Sequence, residues 1–298
     1  MATVGAIPYQ PWLQRGLVVD GRFRWRLGTR PLDLDDWIEL GPDADGPDGW
    51  IAEKERANRD HRETVFVVLD GVEPECDEIA GELLVHLQRR WPDRYGAVML
   101  DQEEHPLDAA ARLVPEDLVV MVEREGRLVF GGGSVCFPNR WDLRSKLGRA
   151  IAEVHAPVAR LNEQLEHAVD SFFDRLEPGR SFWRLGWGIL DTADGYTPLD
   201  GTGALRPDVP TIDDLHVRVE RETLRRFPIT RAVLFTIRTY ITPLAGLLAD
   251  ERHRTAILRV VDAMPDDVRG YKDLTDPIRR HLDVQNWSRN GPPPAAVS

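Results

Sequence analysis

The sequence predicts an α+β fold built on an antiparallel sheet. Segments with helical spacing of apolar residues and segments with alternating spacing occur in mixed blocks along the 298-residue chain. They do not follow the regular strand–helix–strand rhythm of a parallel sheet. Hydrophobic residues make up 42% of the chain, enough for a sizeable core. An antiparallel sheet with several helices is therefore favoured over a doubly wound fold.

The first half of the chain predicts two helices, a hairpin and two further helices. Residues 51–67 and 75–90 have helical character, and Trp91-Pro92 ends the second helix. An apolar run at 118–122, the turn Glu125-Gly126 and a return at 127–137 predict a hairpin. Its glycines at 131–133 lack the Lys-Ser/Thr of a phosphate loop and indicate a bulge or close approach. Apolar stripes predict the further helices over 143–154 and 158–176.

The second half predicts three strands followed by two helices. The strands are expected at 182–190, 215–221 and 233–238, and the helices at 252–264 and 274–282. Residues 1–30 are expected to form an extended arm, and 31–285 a single domain. The Pro/Ala-rich residues 286–298 are expected to be a disordered tail.

Composition excludes several classes of protein. A formal net charge of −12 disfavours nucleic acid and anionic membranes as partners. Two cysteines without a CxxC pair exclude a disulfide framework and a cysteine-rich zinc site. The N-terminus lacks the features of a secretory signal, and no segment has about 20 uninterrupted apolar residues. We therefore expect a soluble cytoplasmic protein.

Two residues are candidates for a single-ligand metal site such as haem iron, since no histidine or carboxylate cluster has metal-ligand spacing. His155 lies four residues after Ile151 on a helical stripe, just before Pro157, and could also be a capping histidine. Cys136 could bind iron as a thiolate or be a small core residue in a strand. The pattern leaves these alternatives open.

Charged residues also occupy predicted strands. Arg218 and Glu220 share one face with His216, whereas Arg221 follows Val217 and Val219 on the other face. A charge on an apolar face requires a partner, either a structural carboxylate or a ligand carboxylate such as a haem propionate. Arg238, near Thr236 and Tyr240, presents the same two alternatives.

Several stretches, in order along the chain, resemble the alpha subunit of haem-dependent oxidative N-demethylase. They span about residues 28–282, and the main ones are 28–32 (GTRPL), 105–118 (HPLDAAARLVPEDL), 136–148 (CFPNRWDLRSKLG), 154–158 (VHAPV), 218–228 (RVERETLRRFP), 234–240 (LFTIRTY) and 271–272 (YK). One stretch departs from the family pattern: Arg184-Leu-Gly-Trp187 has Gly186 where the family usually has Asn. This departure indicates a different substrate if the Asn supports the pocket.

The resemblance implies a PAS-like antiparallel sheet flanked by several helices and holding haem b. It implies O₂- and NADPH-dependent oxidation of a small secondary amine, with dimethylamine as the precedent and formaldehyde as a product. FMN and a 2Fe-2S cluster would be carried by separate reductase subunits. The alternatives are a haem-based gas or redox sensor, and a scaffold subunit without haem.

The resemblance also assigns roles to residues. His155 is the preferred axial ligand and Cys136 the alternative, and both are expected at the cofactor together with Lys146, Arg221 and Arg226. Glu220 is expected to hold the substrate ammonium, and Arg238 and Tyr240 to act in catalysis. Arg221 and Arg238 would pair with propionates or polarise bound oxygen.

Overall fold

The protein is built around one seven-stranded antiparallel sheet and a separate two-stranded ribbon. A computed structural model describes residues 7–155, 161–199 and 211–272. The described strands are β1 (Val18–Val19), β2 (Arg22–Phe23), β3 (Arg30–Pro31), β4 (Phe66–Val68), β5 (Asp117–Arg124), β6 (Arg127–Ser134), β7 (Ser181–Leu190), β8 (His216–Arg226) and β9 (Val233–Pro243). β1 and β2 form the ribbon.

The large sheet has the order β3-β7-β8-β9-β5-β6-β4. Its five long strands therefore run β7-β8-β9-β5-β6, so that β5 and β9, the first and last of the five in sequence, are neighbours. The predicted strands at 215–221 and 233–238 are too short, because β8 and β9 pair along eleven residues each. The predicted strands at 118–122 and 182–190 are confirmed.

Helices cover both faces of the sheet. They are α1 (Trp50–Val65), α2 (Glu73–Arg90), α3 (Pro92–Tyr95), α4 (Pro106–Ala111), α5 (Ile151–His155), α6 (Leu161–Asp174), α7 (Leu244–Leu248), α8 (Glu251–Ala263) and α9 (Asp266–Tyr271). The predicted helices at 51–67, 75–90 and 252–264 correspond to α1, α2 and α8. None of the helices in the described residues is long and apolar enough to cross a bilayer.

Alternation along β8 divides the sheet into two faces, as the sequence predicts. Val217, Val219 and Arg221 belong to one face, where Val217 and Val219 pack with Ile257 and Val261 of helix α8. We call it the α8 face. Leu224 lies on the opposite face and packs with Val169 of helix α6. We call that side, which also carries Arg218, Glu220 and Glu222, the α6 face.

The predicted helix over 143–154 is wrong. Residues Leu143–Lys146 form one 3-10 turn, and α5 begins only at Ile151. Between them Gly148 has a φ of 74°, which ends helical geometry. Gly148 N–H donates to the Phe130 carbonyl and Phe130 N–H donates to the Arg149 carbonyl, at 2.8 and 2.9 Å. Pairing with strand β6 therefore overrides the apolar stripe.

The triple glycine is a place of close backbone approach, as predicted. A Cβ on Gly132 would lie 2.7 Å from the Val67 carbonyl oxygen, and one on Gly133 would lie 2.8 Å from that of Leu118. Strand β6 can therefore lie between β4 and β5 only without side chains at these positions. The hairpin turn is also where the sequence predicts it, with φ of 54° at Glu125 and 73° at Gly126.

The N-terminal residues pack more closely than an extended arm would. Pro11–Leu13 form a 3-10 turn, and Trp12 is fully buried beside helix α8. Burial of a large aromatic side chain contributes on the order of 2 kcal/mol. The predicted tail at 286–298 and the predicted helix at 274–282 lie outside the described residues.

Candidate functional site

A group of charged residues surrounds a bare stretch of strand on the α6 face. Gly186 of β7 pairs with Glu220 of β8, Arg184 pairs with Glu222, and Gly188 pairs with Arg218. All of these positions are on one face because they are two residues apart along each strand. The two glycines leave the strand surface there without side chains. We call Arg184, Arg218, Glu220, Glu222 and Lys272 the Gly186 cluster.

Each carboxylate of the cluster uses one oxygen for an arginine and turns the other towards Gly186. Arg184 Nε lies 2.8 Å from Glu222 Oε2, and Arg218 Nε donates to Glu220 Oε1 at 2.8 Å. The remaining oxygens, Glu222 Oε1 and Glu220 Oε2, lie 2.9 and 3.4 Å from the position of a Cβ on Gly186. A longer side chain at 186, such as the Asn expected from the resemblance, would occupy this space, so Gly186 allows the carboxylates to approach.

Lys272, which follows helix α9, reaches the same group. Its Nζ donates to the Trp187 carbonyl at 3.0 Å and lies 5.3 Å from the centre of the Trp25 ring. The carboxylates that act on it are Glu220 and Glu222. The cluster therefore combines groups from β7, β8 and the end of α9.

Burial gives two cluster groups unusual protonation equilibria. It raises the pKa of the Glu222 carboxyl to about 7, against the opposing effect of Arg184 and with the support of Glu220. It also lowers the pKa of Lys272 to about 8, while the two glutamates oppose this shift. Acid and base groups with pKa values shifted towards neutrality occur often at functional sites.

The α8 face carries a second charged group, which is closed on itself. Arg238 Nη2 lies 2.7 Å from Asp43 Oδ1, and Arg221 Nε lies 3.3 Å from Glu39 Oε1. Tyr240 donates its hydroxyl hydrogen to Glu39 Oε2 at 2.5 Å. We call these five residues the Glu39 network. Its carboxylates come from the segment before α1, so Arg221 and Arg238 have protein partners, and the expectation that they pair with propionates is not supported.

Arg226 and Lys146 are likewise engaged by the backbone. The Arg226 guanidinium donates to the carbonyls of Leu176, Arg231 and Phe173 at 2.6, 2.8 and 2.9 Å. It thereby satisfies carbonyls at and beyond the end of helix α6, where unpaired acceptors accumulate. Lys146 Nζ donates to the Val154 carbonyl at 3.1 Å in α5. These contacts are structural and give no support to the expected cofactor contacts.

Cys136 is sealed in the protein interior. Its side chain is fully buried, and Asn58 Nδ2 lies 3.3 Å from the sulfur. Burial, and then the nearby Asp117 carboxylate, raise the pKa of the Cys136 thiol to about 12. The neutral thiol is therefore the stable form, and iron binds the thiolate. The core-residue interpretation of Cys136 accounts for these contacts, and the iron-ligand alternative finds no support.

His155 lies in α5, as the last described residue of that segment, so its helical setting is confirmed and the predicted helix end stays a prediction. The position of its side chain, and residues 156–160 that follow, lie outside the described residues. Lys146 contacts the preceding residue, and Val154 itself packs on the α6 face with Val169. The candidate ligand is thus carried by a helix on the same face as the Gly186 cluster.

The α6 face has open strand surface at Gly188. A Cβ added to Gly188 would meet no described atom within 4 Å, so the strand surface beside the cluster has room. Glycine within a strand can mark a place where a ligand or another part of the backbone approaches closely. Gly188 and the helix that carries His155 are therefore described elements that remain available to a cofactor, whereas the side chains of Cys136, Arg221, Arg226 and Arg238 are engaged within the protein.

Sequence reasoning found Glu220 but missed three members of the cluster. Glu222 continues the Arg218, Glu220 alternation, and that period of two was the available signal. Arg184 and Lys272 occur in motifs of the resemblance, yet their proximity depends on strand pairing and on the course of α9. Glu39 and Asp43 were also missed, because they lie far from Arg221 and Arg238 in sequence.

A comparison with known protein families agrees with the resemblance seen in the sequence motifs. The family model is described as haem-dependent oxidative N-demethylase, alpha subunit-like, and it matches residues 28–279. The match contains the whole Gly186 cluster, the Glu39 network and His155. Because it covers far more than half of the 298 residues, this chain belongs to the haem-dependent oxidative N-demethylase, alpha subunit-like family.

Proposed function

We propose that this chain is the haem-binding catalytic subunit of an oxidative N-demethylase that acts on a small methylated secondary amine. The observation that carries the proposal is the family match over residues 28–279. The Gly186 cluster supports it, because it places perturbed acids and bases beside a bare strand surface.

The proposal includes a PAS-like architecture. Numbered within the five long strands, the sheet order β6-β5-β9-β8-β7 is 2-1-5-4-3, which is the strand order of PAS domains. Helices α5 and α6 connect the second and third of these strands and cover the α6 face. This arrangement supports a cofactor on the α6 face between the helices and the sheet.

His155 would hold the iron, and the ring would lie on the α6 face under helices α5 and α6, beside the Gly186 cluster. Bound haem would supply the O₂-dependent oxidation of an amine methyl group, with formaldehyde as a product. The protein's own contribution is to bind the amine. Glu222 Oε1 and Glu220 Oε2 both lie beside Gly186, 2.9 and 3.4 Å from the position of a Cβ there, so the two oxygens are close enough together to accept hydrogen bonds from one substrate ammonium placed over them. Arg218 and Arg184 hold the two carboxylates in this orientation.

Arg238 and Tyr240 have a different part in this proposal from the one expected from sequence. They lie on the α8 face, on the other side of the sheet from the Gly186 cluster, and belong to the closed Glu39 network. We propose that they support the sheet under the site. Electrons would come from NADPH through FMN and a 2Fe-2S cluster on a separate reductase subunit in the cytoplasm. The only two cysteines of the chain, both buried, suit such a division of cofactors.

The test is an absorption spectrum of the purified full-length protein with and without added haem. We expect a Soret band that His155→Ala shifts or abolishes, whereas the matched control His167→Ala, an exposed histidine on helix α6, leaves it unchanged. An unchanged spectrum of His155→Ala would show that another residue binds the iron.

Turnover separates the enzyme from its alternatives. With NADPH and a reductase, the haem-loaded protein should release formaldehyde from a methylated amine. Gas binding without product across a broad amine panel would indicate a haem-based sensor. Protein that stays colourless after incubation with haem would indicate a scaffold subunit.

A further inference from the structure

The Gly186 cluster has more cations than carboxylates. Arg184 is paired with Glu222 and Arg218 with Glu220, while Lys272 lies near both glutamates without a carboxylate of its own. Asp117, the next carboxylate towards the centre of the sheet, lies near Lys54 as well as Arg218, and its oxygens accept the N–H groups of Cys136 and Phe137. It does not supply the missing negative charge. One positive charge of the cluster therefore lacks a counter-charge from these neighbours.

The two outer cations can reach a ligand. The Arg184 side chain is 30% exposed, and its close contact with Glu222 is made through Nε. The terminal nitrogens of a guanidinium form a fork that matches a carboxylate. Arg218 differs, because its terminal nitrogens already donate to the carbonyls of Gly195 and Phe137. Arg184 and Lys272 are thus the cations available at the bare strand.

A simple amine would satisfy only half of this cluster. Its ammonium fits Glu220 Oε2 and Glu222 Oε1, which converge above Gly186. It would compete with Arg184 and Lys272 for these two carboxylates and add a further positive charge to the cluster, and a desolvated cation without a partner is costly. A ligand with a carboxylate next to its ammonium complements both signs of the cluster, and the space at Gly188 leaves room for it.

We infer that the substrate is an N-methylated amino acid, whose ammonium binds Glu220 and Glu222 and whose carboxylate binds Arg184 and Lys272. The demethylation of this substrate rests on the proposed function, whereas its binding to the cluster does not. Such binding also gives the glycine at 186 a role. Because Gly186 has no side chain, Glu220 and Glu222 can approach the strand and bind the ammonium. Arg184 and Lys272 then remain beside them to bind the carboxylate.

Calorimetric titration of the full-length protein, haem-free and haem-loaded, tests the inference. The ligands are N,N-dimethylglycine, its methyl ester and dimethylamine. We expect N,N-dimethylglycine to bind at least about tenfold more tightly than the other two, since a charge-assisted hydrogen bond contributes that much or more. Equal affinities for the three ligands, or no binding of any of them, would overturn the inference.

Variants identify the residues. Arg184→Gln and Lys272→Met should each bring the affinity for N,N-dimethylglycine close to that for its methyl ester. The matched control Arg180→Gln, which replaces an exposed arginine near the start of β7, should leave the difference in affinity unchanged. If Arg184→Gln instead weakens haem retention and leaves the preference intact, the cations serve a porphyrin propionate and the inference fails.

The outcomes also separate this inference from the proposed function. If the protein binds N,N-dimethylglycine preferentially but takes up no haem, the inferred binding site is supported and the proposed haem enzyme is refuted. If the protein releases formaldehyde from dimethylamine and shows no preference for the amino acid, the proposed enzyme is supported and the inferred substrate is refuted.

Discussion

The two faces of strands β7 to β9 carry charged groups of similar composition, which differ in how completely their charges are paired within the protein. In the Glu39 network on the α8 face, Arg221 and Arg238 both meet carboxylates and Tyr240 donates to Glu39, which also accepts from Tyr9 outside the network. In the Gly186 cluster on the α6 face, two carboxylate oxygens point at a bare glycine and the cations outnumber the acids. Among the described residues, the first group is closed on itself, whereas the second has carboxylate oxygens and cations that remain available to a ligand.

The difference shows that buried charge alone does not identify a functional site. Arg238 is fully buried and paired within the protein, whereas Arg184 is partly exposed, so the degree of burial does not show which arginine is available to a ligand. What distinguishes the groups is whether each polar atom is satisfied within the protein. For a buried ion pair such as Arg238 with Asp43, removal of one partner lowers the stability of the fold, because the other charge is then left without a partner.

The largest expected effect is on the stability of the closed network. Arg238→Met should lower the free energy of unfolding by about 3 kcal/mol, because it leaves Asp43 and its surroundings without the buried cation. Arg184→Met should cost less than about 1 kcal/mol, since its pair with Glu222 is partly solvated. Urea unfolding followed by tryptophan fluorescence measures both values. Equal losses would remove the distinction between the two groups.

The pH dependence of stability should depend on Glu222. Because burial raises the pKa of Glu222 from 4.5 to about 7, the folded protein binds this proton more tightly than the unfolded chain. Stability from this group is therefore lost as the pH rises from about 4.5 to 7. Glu222→Gln should remove that loss, on the order of 1 kcal/mol over this range.

The measurement is urea unfolding at several pH values for the wild type, Glu222→Gln and the exposed control Glu251→Gln. Glu116 and Asp117 also have raised pKa values, about 7 and about 6, so part of the slope should remain in Glu222→Gln. A slope identical to that of the wild type would mean that Glu222 titrates in the ordinary range.

The smallest expected effect compares two glycines of the same strand. Gly186→Ala places a Cβ 2.9 Å from Glu222 Oε1, so the carboxylate must move and the cost should be about 1 kcal/mol. Gly188→Ala meets no described atom within 4 Å, and it should be neutral or stabilise by up to about 1 kcal/mol. Thermal unfolding of the two variants checks the order. Reversal of that order would place the crowded position at 188.

Local signals predicted much of the fold. The helical stripe of α2, the turn at Glu125-Gly126 and the alternation in β8 each depend on neighbours within a few residues, and the structure has them where the sequence indicates. The helix expected over 143–154 failed for a tertiary reason, because Gly148 and Arg149 pair with Phe130 of strand β6. A local stripe cannot report a competing strand.

The site was predictable only in part. Alternation assigned Glu220 and Arg221 to opposite faces, because side chains along a strand alternate whatever the strand pairs with. The partners of Arg221 and Arg238 come from residues 39 and 43, nearly two hundred positions away, and no local pattern connects them. The expectation that these arginines hold propionates was therefore reasonable from sequence and is not supported by their contacts.

The sequence by itself determined the family, the α+β class and the face of the sheet on which each charged residue of β8 lies. These follow from motif order and from a period of two, which are properties of the chain alone. Only the tertiary structure decided which charges are already satisfied. Pairing of β7 with β8 set Gly186 against Glu220, and the course of the chain after α9 brought Lys272 to both. Electrostatic complementarity depends on distances between remote segments, and those distances exist only in the folded protein.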